Sequence, residues 1–114
     1  YFKLLIMENQ TVNEGKTMAI ISYITIFGTL IAFFMNNSKK NSFASFHIRQ
    51  MIGLVLLGLI NQYAITNLLG GTIGMIIAVI LFILWVIGFI GAIKGEEKSI
   101  PVIGDQFQNW FKSI

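Results

Sequence analysis

Gln50-Met-Ile-Gly-Leu-Val-Leu-Leu-Gly-Leu-Ile60-Asn-Gln-Tyr-Ala-Ile-Thr-Asn-Leu-Leu-Gly70-Gly-Thr-Ile-Gly-Met-Ile-Ile-Ala-Val-Ile80-Leu-Phe-Ile-Leu-Trp-Val-Ile-Gly-Phe-Ile90-Gly-Ala-Ile93 runs for 44 residues without a charged side chain. About 20 apolar residues in a helix cross a bilayer, so this run is too long for one crossing and long enough for two. Asn61, Gln62, Thr66, Asn67, Gly70 and Gly71 interrupt it, and such residues between apolar runs mark a turn. The reading is a pair of membrane helices, 43–64 and 72–93, joined by a turn over 65–71. Toward the N-terminus a second uncharged run covers Thr17 to Ser38, 22 residues. Its apolar part, 18–35, rises about 27 Å as a helix and is expected to be one more span. The polar run 36–42 between them is short, which makes the first two spans antiparallel neighbours, with Ser42 as the expected N-cap of the second.

Composition agrees with these spans. Of 114 residues 55% are hydrophobic and 11% charged, with a mean hydropathy of +0.76. Ordinary soluble domains carry roughly 25% charged residues, so most of this apolar surface must face something other than water. With no Cys there is no disulfide, thiolate metal site or Cys nucleophile, and one His cannot build a multi-His metal site. No catalytic constellation, metal site or cofactor is implied, and the net charge of +3 forms no stripe suited to nucleic acid. The expected fold is all-α: an integral membrane three-helix bundle with a C-terminal amphipathic interfacial helix. Residues 1–17 read as a polar N-terminal tail in which Met7 is the expected native start. Neither a secretory signal nor a transit peptide is expected, since no cleavage site follows the run that opens at Met18 and the leader lacks Arg.

Residues 94–114 form a polar turn and an amphipathic tail. Phe107, Trp110, Phe111 and Ile114 fall at i, i+3, i+4 and i+7, a helical stripe too short to span. It is expected to lie in the membrane interface, where Trp and Phe are favoured; the alternative is that it folds back onto the bundle end. Three spans place Lys3 and Lys16 on one side and Lys39, Lys40, Arg49, Lys94, Lys98 and Lys112 on the other. Positively charged loops stay cytoplasmic, so the expected topology is N-out and C-in.

Phe43-Ala-Ser-Phe-His47-Ile-Arg49-Gln50 sets a His, an Arg and a Gln at the mouth of a membrane helix. His47 and Gln50 share a face that continues toward Asn61, while Arg49 points away from it. Polar groups at such depth either line a cavity, proton path or substrate path, or tie helix ends together while Arg49 snorkels outward. The second is the commoner case. Lys39, Lys40 and Arg49 are the expected contacts to lipid headgroups or a partner. Gly70, Gly74, Gly88, Gly91 and Gly95 are the expected close-packing positions of the third span, within the chain or against another subunit.

Two segments together carry a resemblance: the Phe43–Gln50 octapeptide, and Lys94-Gly-Glu-Glu-Lys-Ser-Ile-Pro101-Val-Ile-Gly104. With Asn13-Glu-Gly-Lys-Thr-Met-Ala-Ile-Ile-Ser-Tyr23 before them, the chain resembles the Tic-twenty-like group: a chloroplast inner-envelope import-translocon subunit and its small bacterial membrane relatives. His47, Arg49, Gln50, Gly95 and Pro101 map to the shared pattern. The resemblance implies a helical protein of the bacterial inner membrane, in or near a protein-conducting complex. The expected function is therefore a non-enzymatic subunit or accessory of a protein transport complex, with the lipid bilayer and other membrane subunits as partners. A structural or assembly subunit with no conducting role is the alternative.

Overall fold

The computed structural model describes the backbone of residues 2–114 and the side chains from residue 9 onward; the side chains of Lys3 and Met7 lie outside the described residues. Every regular element among them is helical: α1 (Phe2–Ile24), α2 (Ile26–Lys39), α3 (Ser42–Leu69), α4 (Gly71–Lys94) and α5 (Gly104–Trp110). Among the described residues, α3 and α4 are the two helices long and apolar enough to cross a membrane.

The expected first span, 18–35, is not one helix. The backbone leaves helical geometry at Thr25 (φ −152°, ψ 174°), and its hydroxyl accepts the Gly28 N–H at 3.0 Å to cap α2. From there α2 returns along α1. Thr29 Oγ1 donates to the Ser22 carbonyl at 2.7 Å, Met18 and Ala32 share a buried cluster, and Asn41 Nδ2 donates to the Thr11 carbonyl at 2.9 Å. These pairs step outward from Thr25 on both arms, the signature of an antiparallel hairpin. Gly28 permits it, because a Cβ there would overlap the Ile21 carbonyl oxygen. Thr11 and the turn at Lys40 and Asn41 lie at one end of the molecule; that turn is shorter than the expected 36–42 run because α2 continues to Lys39, and the expected polar tail 1–17 falls on α1 over residues 2–17.

Asn41, not Ser42, caps α3: its side-chain oxygen accepts the Ala44 N–H at 3.0 Å. α3 continues past the expected end at 64 to Leu69, with a π-helical turn over Asn61–Ile65. The reversal is made by Gly70 alone, whose φ of +100° suits glycine. α4 then runs back and ends at Gly95 (φ +74°), where the Glu96 and Gly95 N–H groups bond to the Gly91 and Ala92 carbonyls, a Schellman ending. The segment after it crosses the base, buries Ile100, and leads into α5, which lies against α3.

The α1–α2 hairpin covers only the first half of the α3–α4 pair, its tip residues Ile26, Thr29 and Leu30 bordering Ile52, Val55 and Leu56. The core sits in that half, where Ala19, Tyr23, Phe43, Met51, Leu54, Ala92, Ile100 and Phe107 cluster. Beyond it α3 and α4 stand alone, exposing Leu68, Met75, Ile76 and Phe82.

Candidate functional site

A Tyr with its hydroxyl inside an apolar helix needs a partner. Tyr23 finds two. As the penultimate residue of α1 it is carried to the centre of the core, where its hydroxyl lies 2.6 Å from His47 Nδ1 and accepts a 2.9 Å bond from Gln50 Nε2. His47 and Gln50, one turn apart on α3, face the same way, as their spacing requires. The segment after α4 closes the far side: Glu96 O lies 2.9 Å from His47 Nε2, and Gln50 Oε1 accepts the Ile100 N–H at 2.8 Å. All three side chains are buried.

The proton positions follow from these partners. The Tyr23 oxygen is occupied by the Gln50 donor, so its own hydrogen goes to Nδ1, which must be bare. His47 is then neutral with its proton on Nε2, donated to the Glu96 carbonyl. Both ring nitrogens are engaged by partners within the chain. Edge-on packing against Tyr23, Phe43 and Phe46, with centroids 4.8 to 5.4 Å apart, fixes the ring further. Chemically this arrangement joins α1, α3 and the segment after α4.

Asn61 does not belong to this cluster. It lies in the π-helical turn of the uncovered half and donates to the Gly74 carbonyl at 2.9 Å, while its Oδ1 is buried without a hydrogen-bond partner. Leu54 and Leu57 intervene on α3 and are packed in the apolar core, so His47, Gln50 and Asn61 do not form one polar stripe.

Arg49 is engaged within the chain. Its guanidinium donates to the carbonyls of Phe111 (3.1 Å) and Lys112 (3.0 Å) and to Gln108 Oε1 (3.4 Å), and Gln108 Nε2 donates to the Phe46 carbonyl at 2.8 Å. A cation at the C-terminal end of a helix satisfies carbonyls that have no partner within it. The tail is therefore held on α3. Phe107 is buried on Gly53, where any Cβ would run into its ring; Phe111 and Ile114 are half-buried and Trp110 is 61% exposed. Most of the stripe thus faces protein instead of the interface. Arg49→Leu is expected to release α5 and raise the rate of tryptic cleavage after Lys112 severalfold, since hydrogen bonds to a charged group contribute roughly 1.5–3 kcal/mol. An unchanged cleavage rate would show that the clamp does not hold the tail.

Lys39 and Lys40 are exposed on the turn into α3. Of the glycines, Gly88 admits the Tyr23 ring, Gly91 faces His47 and Glu96, Gly74 lies under Thr66, and Gly95 meets Val12. Gly70 packs against nothing within 4 Å and acts through its backbone alone. The sequence reading overlooked Tyr23, and with it Trp85, whose Nε1–H donates to the Tyr23 carbonyl at 2.8 Å. It also overlooked the Asn36–Ser45 pair (2.7 Å) beside the Asn41 cap. The signal for Tyr23 was a phenol in an uncharged run, with His47 and Gln50 as complementary groups.

Compared with protein families, curated proteins and solved structures, the chain finds no match.

Proposed function

We propose that this is a non-enzymatic, structural or accessory subunit of a membrane-embedded assembly, crossing the bilayer twice through α3 and α4. The carrying observation is the closed Tyr23, His47 and Gln50 network, whose groups all bond within the chain. Polar side chains of a conducting path would face water; these hold helices together. The resemblance to the Tic-twenty-like group supports a protein-translocation complex of the bacterial inner membrane as the setting, with other membrane subunits as partners.

All the described Lys and Arg belong to the end formed by the N-terminal segment, the α2–α3 junction and the C-terminal segment; the Gly70 turn carries none. Positive charge on one side of the membrane then favours both termini in the cytoplasm, in place of the N-out arrangement. The chain has no native Cys, so single-Cys probes carry no background. Asn13→Cys and Asn37→Cys are expected to react with a membrane-impermeant thiol reagent from the same side, and Asn67→Cys from the other. Labelling of positions 13 and 37 from opposite sides would restore the three-span arrangement. Purification of the native protein in mild detergent tests the subunit reading. A stoichiometric membrane partner is expected to remain bound, and recovery only as a monomer or small homo-oligomer would overturn it.

A further inference from the structure

We propose, resting on the two-crossing reading above, that the α1–α2 hairpin is a one-leaflet wedge that directs the protein to tightly curved lipid surfaces, with the charged end on the convex side.

The depth of the wedge is bounded by residues on both arms. On α1 the last charge before the tip is Lys16, nine residues from Thr25; on α2 the apolar face runs from Ile26 to Met35 before Asn36. At a rise of 1.5 Å per residue each arm can sink about 14 Å, close to half of a hydrocarbon core roughly 30 Å thick. The outer face over this length is apolar and open: Ile24, Ile26, Phe27, Leu30, Ile31 and Phe34 are all exposed, Phe27 at 76%. The inner face is small and polar where it must be, with Gly28, Thr29 and Ala32 buried against α1 and Thr29 bonded to Ser22 O. The hairpin is thus locked short. Asn36, Asn41 and Ser45 tie its base to the start of α3, and Asn41 ties it to Thr11.

The consequence is an unequal cross-section. The half of the molecule at the charged end contains α1, α2 and α5 beside α3 and α4, while the other half contains α3 and α4 alone. Helices about 10–12 Å across make the hairpin's share of the difference roughly 160–230 Å². A flat bilayer must accommodate that excess in one leaflet only. A surface convex toward the charged end has that leaflet expanded, with packing defects that apolar side chains such as Phe27 and Ile31 fill, as other shallow apolar insertions do.

The test uses the full chain, labelled at Asn67→Cys and reconstituted into phosphatidylethanolamine–phosphatidylglycerol vesicles of mixed diameter, with protein-to-lipid ratio read vesicle by vesicle. The smallest vesicles are expected to carry about threefold more protein per lipid than the largest. A Phe27→Asn/Ile31→Asn variant alters only exposed positions, so it is expected to float with vesicles through α3 and α4 while the size preference falls toward none. Equal density of the native chain at all diameters, or an unchanged preference in the variant, overturns the wedge. Failure of the native chain to float with vesicles of any size overturns the membrane reading beneath it.

Discussion

Gly28→Ala is expected to lower the stability of the detergent-solubilised protein by about 2–3 kcal/mol, the upper part of the range for overpacking a closed contact. Helix propensity alone predicts the opposite sign, since alanine is favoured over glycine inside a helix by about 0.5–1 kcal/mol. The sign reverses because the new methyl would overlap the Ile21 carbonyl oxygen, a backbone atom that cannot rotate aside. Relief requires the two arms to part, and parting breaks the Thr29 to Ser22 bond at the same point. Gly58→Ala is the matched comparison. Nothing lies within 4 Å of a Cβ at that position on α3, so the propensity gain is expected to appear undiminished, at up to about 1 kcal/mol of stabilisation. Thermal unfolding of both variants followed by circular dichroism reads the contrast; shifts of the same sign would mean that α1 and α2 do not meet at Gly28. An opened hairpin would also free residues 17–38 to straighten, so Asn13→Cys labelling in the Gly28→Ala background should become mixed between the two sides.

The single residue Thr25 explains why the first half of the fold was hard to read. Hydropathy over 18–35 is the same whether the segment crosses once or folds back at its midpoint, and Thr is an ordinary residue in a membrane helix. What turns the chain is tertiary: the fit of Gly28 on Ile21 and the bonding of Thr29 to Ser22, neither visible in an apolar count. A count of three spans puts the N-terminal segment and the 36–42 run at opposite ends by parity, whereas the hairpin brings Thr11 and Asn41 together at one end. The α3–α4 pair was legible because 44 uncharged residues leave few options and because Gly70 and Gly71 punctuate them. His47 and Gln50 were legible as a pair, since spacing on one helix fixes a shared face. Their partner Tyr23 comes from another helix and was not. The stripe Phe107, Trp110, Phe111 and Ile114 declares an apolar face without saying what covers it, and the answer lay in Gly53, a gap on α3 the size of a ring.

Gln50→Leu is the substitution that bears most directly on function, and it is expected to destabilise the protein by about 3 kcal/mol. Leucine fills comparable space, so little of this comes from a cavity. The loss comes from the Ile100 N–H, buried and left without an acceptor, and from the Tyr23 hydroxyl, which loses its donor; each such group contributes roughly 1–3 kcal/mol. The segment after α4 should loosen first, because the Ile100 N–H to Gln50 bond ties it to α3, and tryptic cleavage after Lys98 reports this. Tyr23→Phe removes the same bond from its other end. Combined with Gln50→Leu it should therefore cost less than the two single changes added together, with a coupling of about 1 kcal/mol. Additive effects would mean the two side chains act independently. If the proposed subunit role holds, a bound membrane partner is expected to be lost in step with tryptic protection, because the network joins α1, α3 and the 95–103 segment. If transport activity were lost while the partner stayed bound and Lys98 stayed protected, the network would be carrying something other than load, and a conducting role would be the better account.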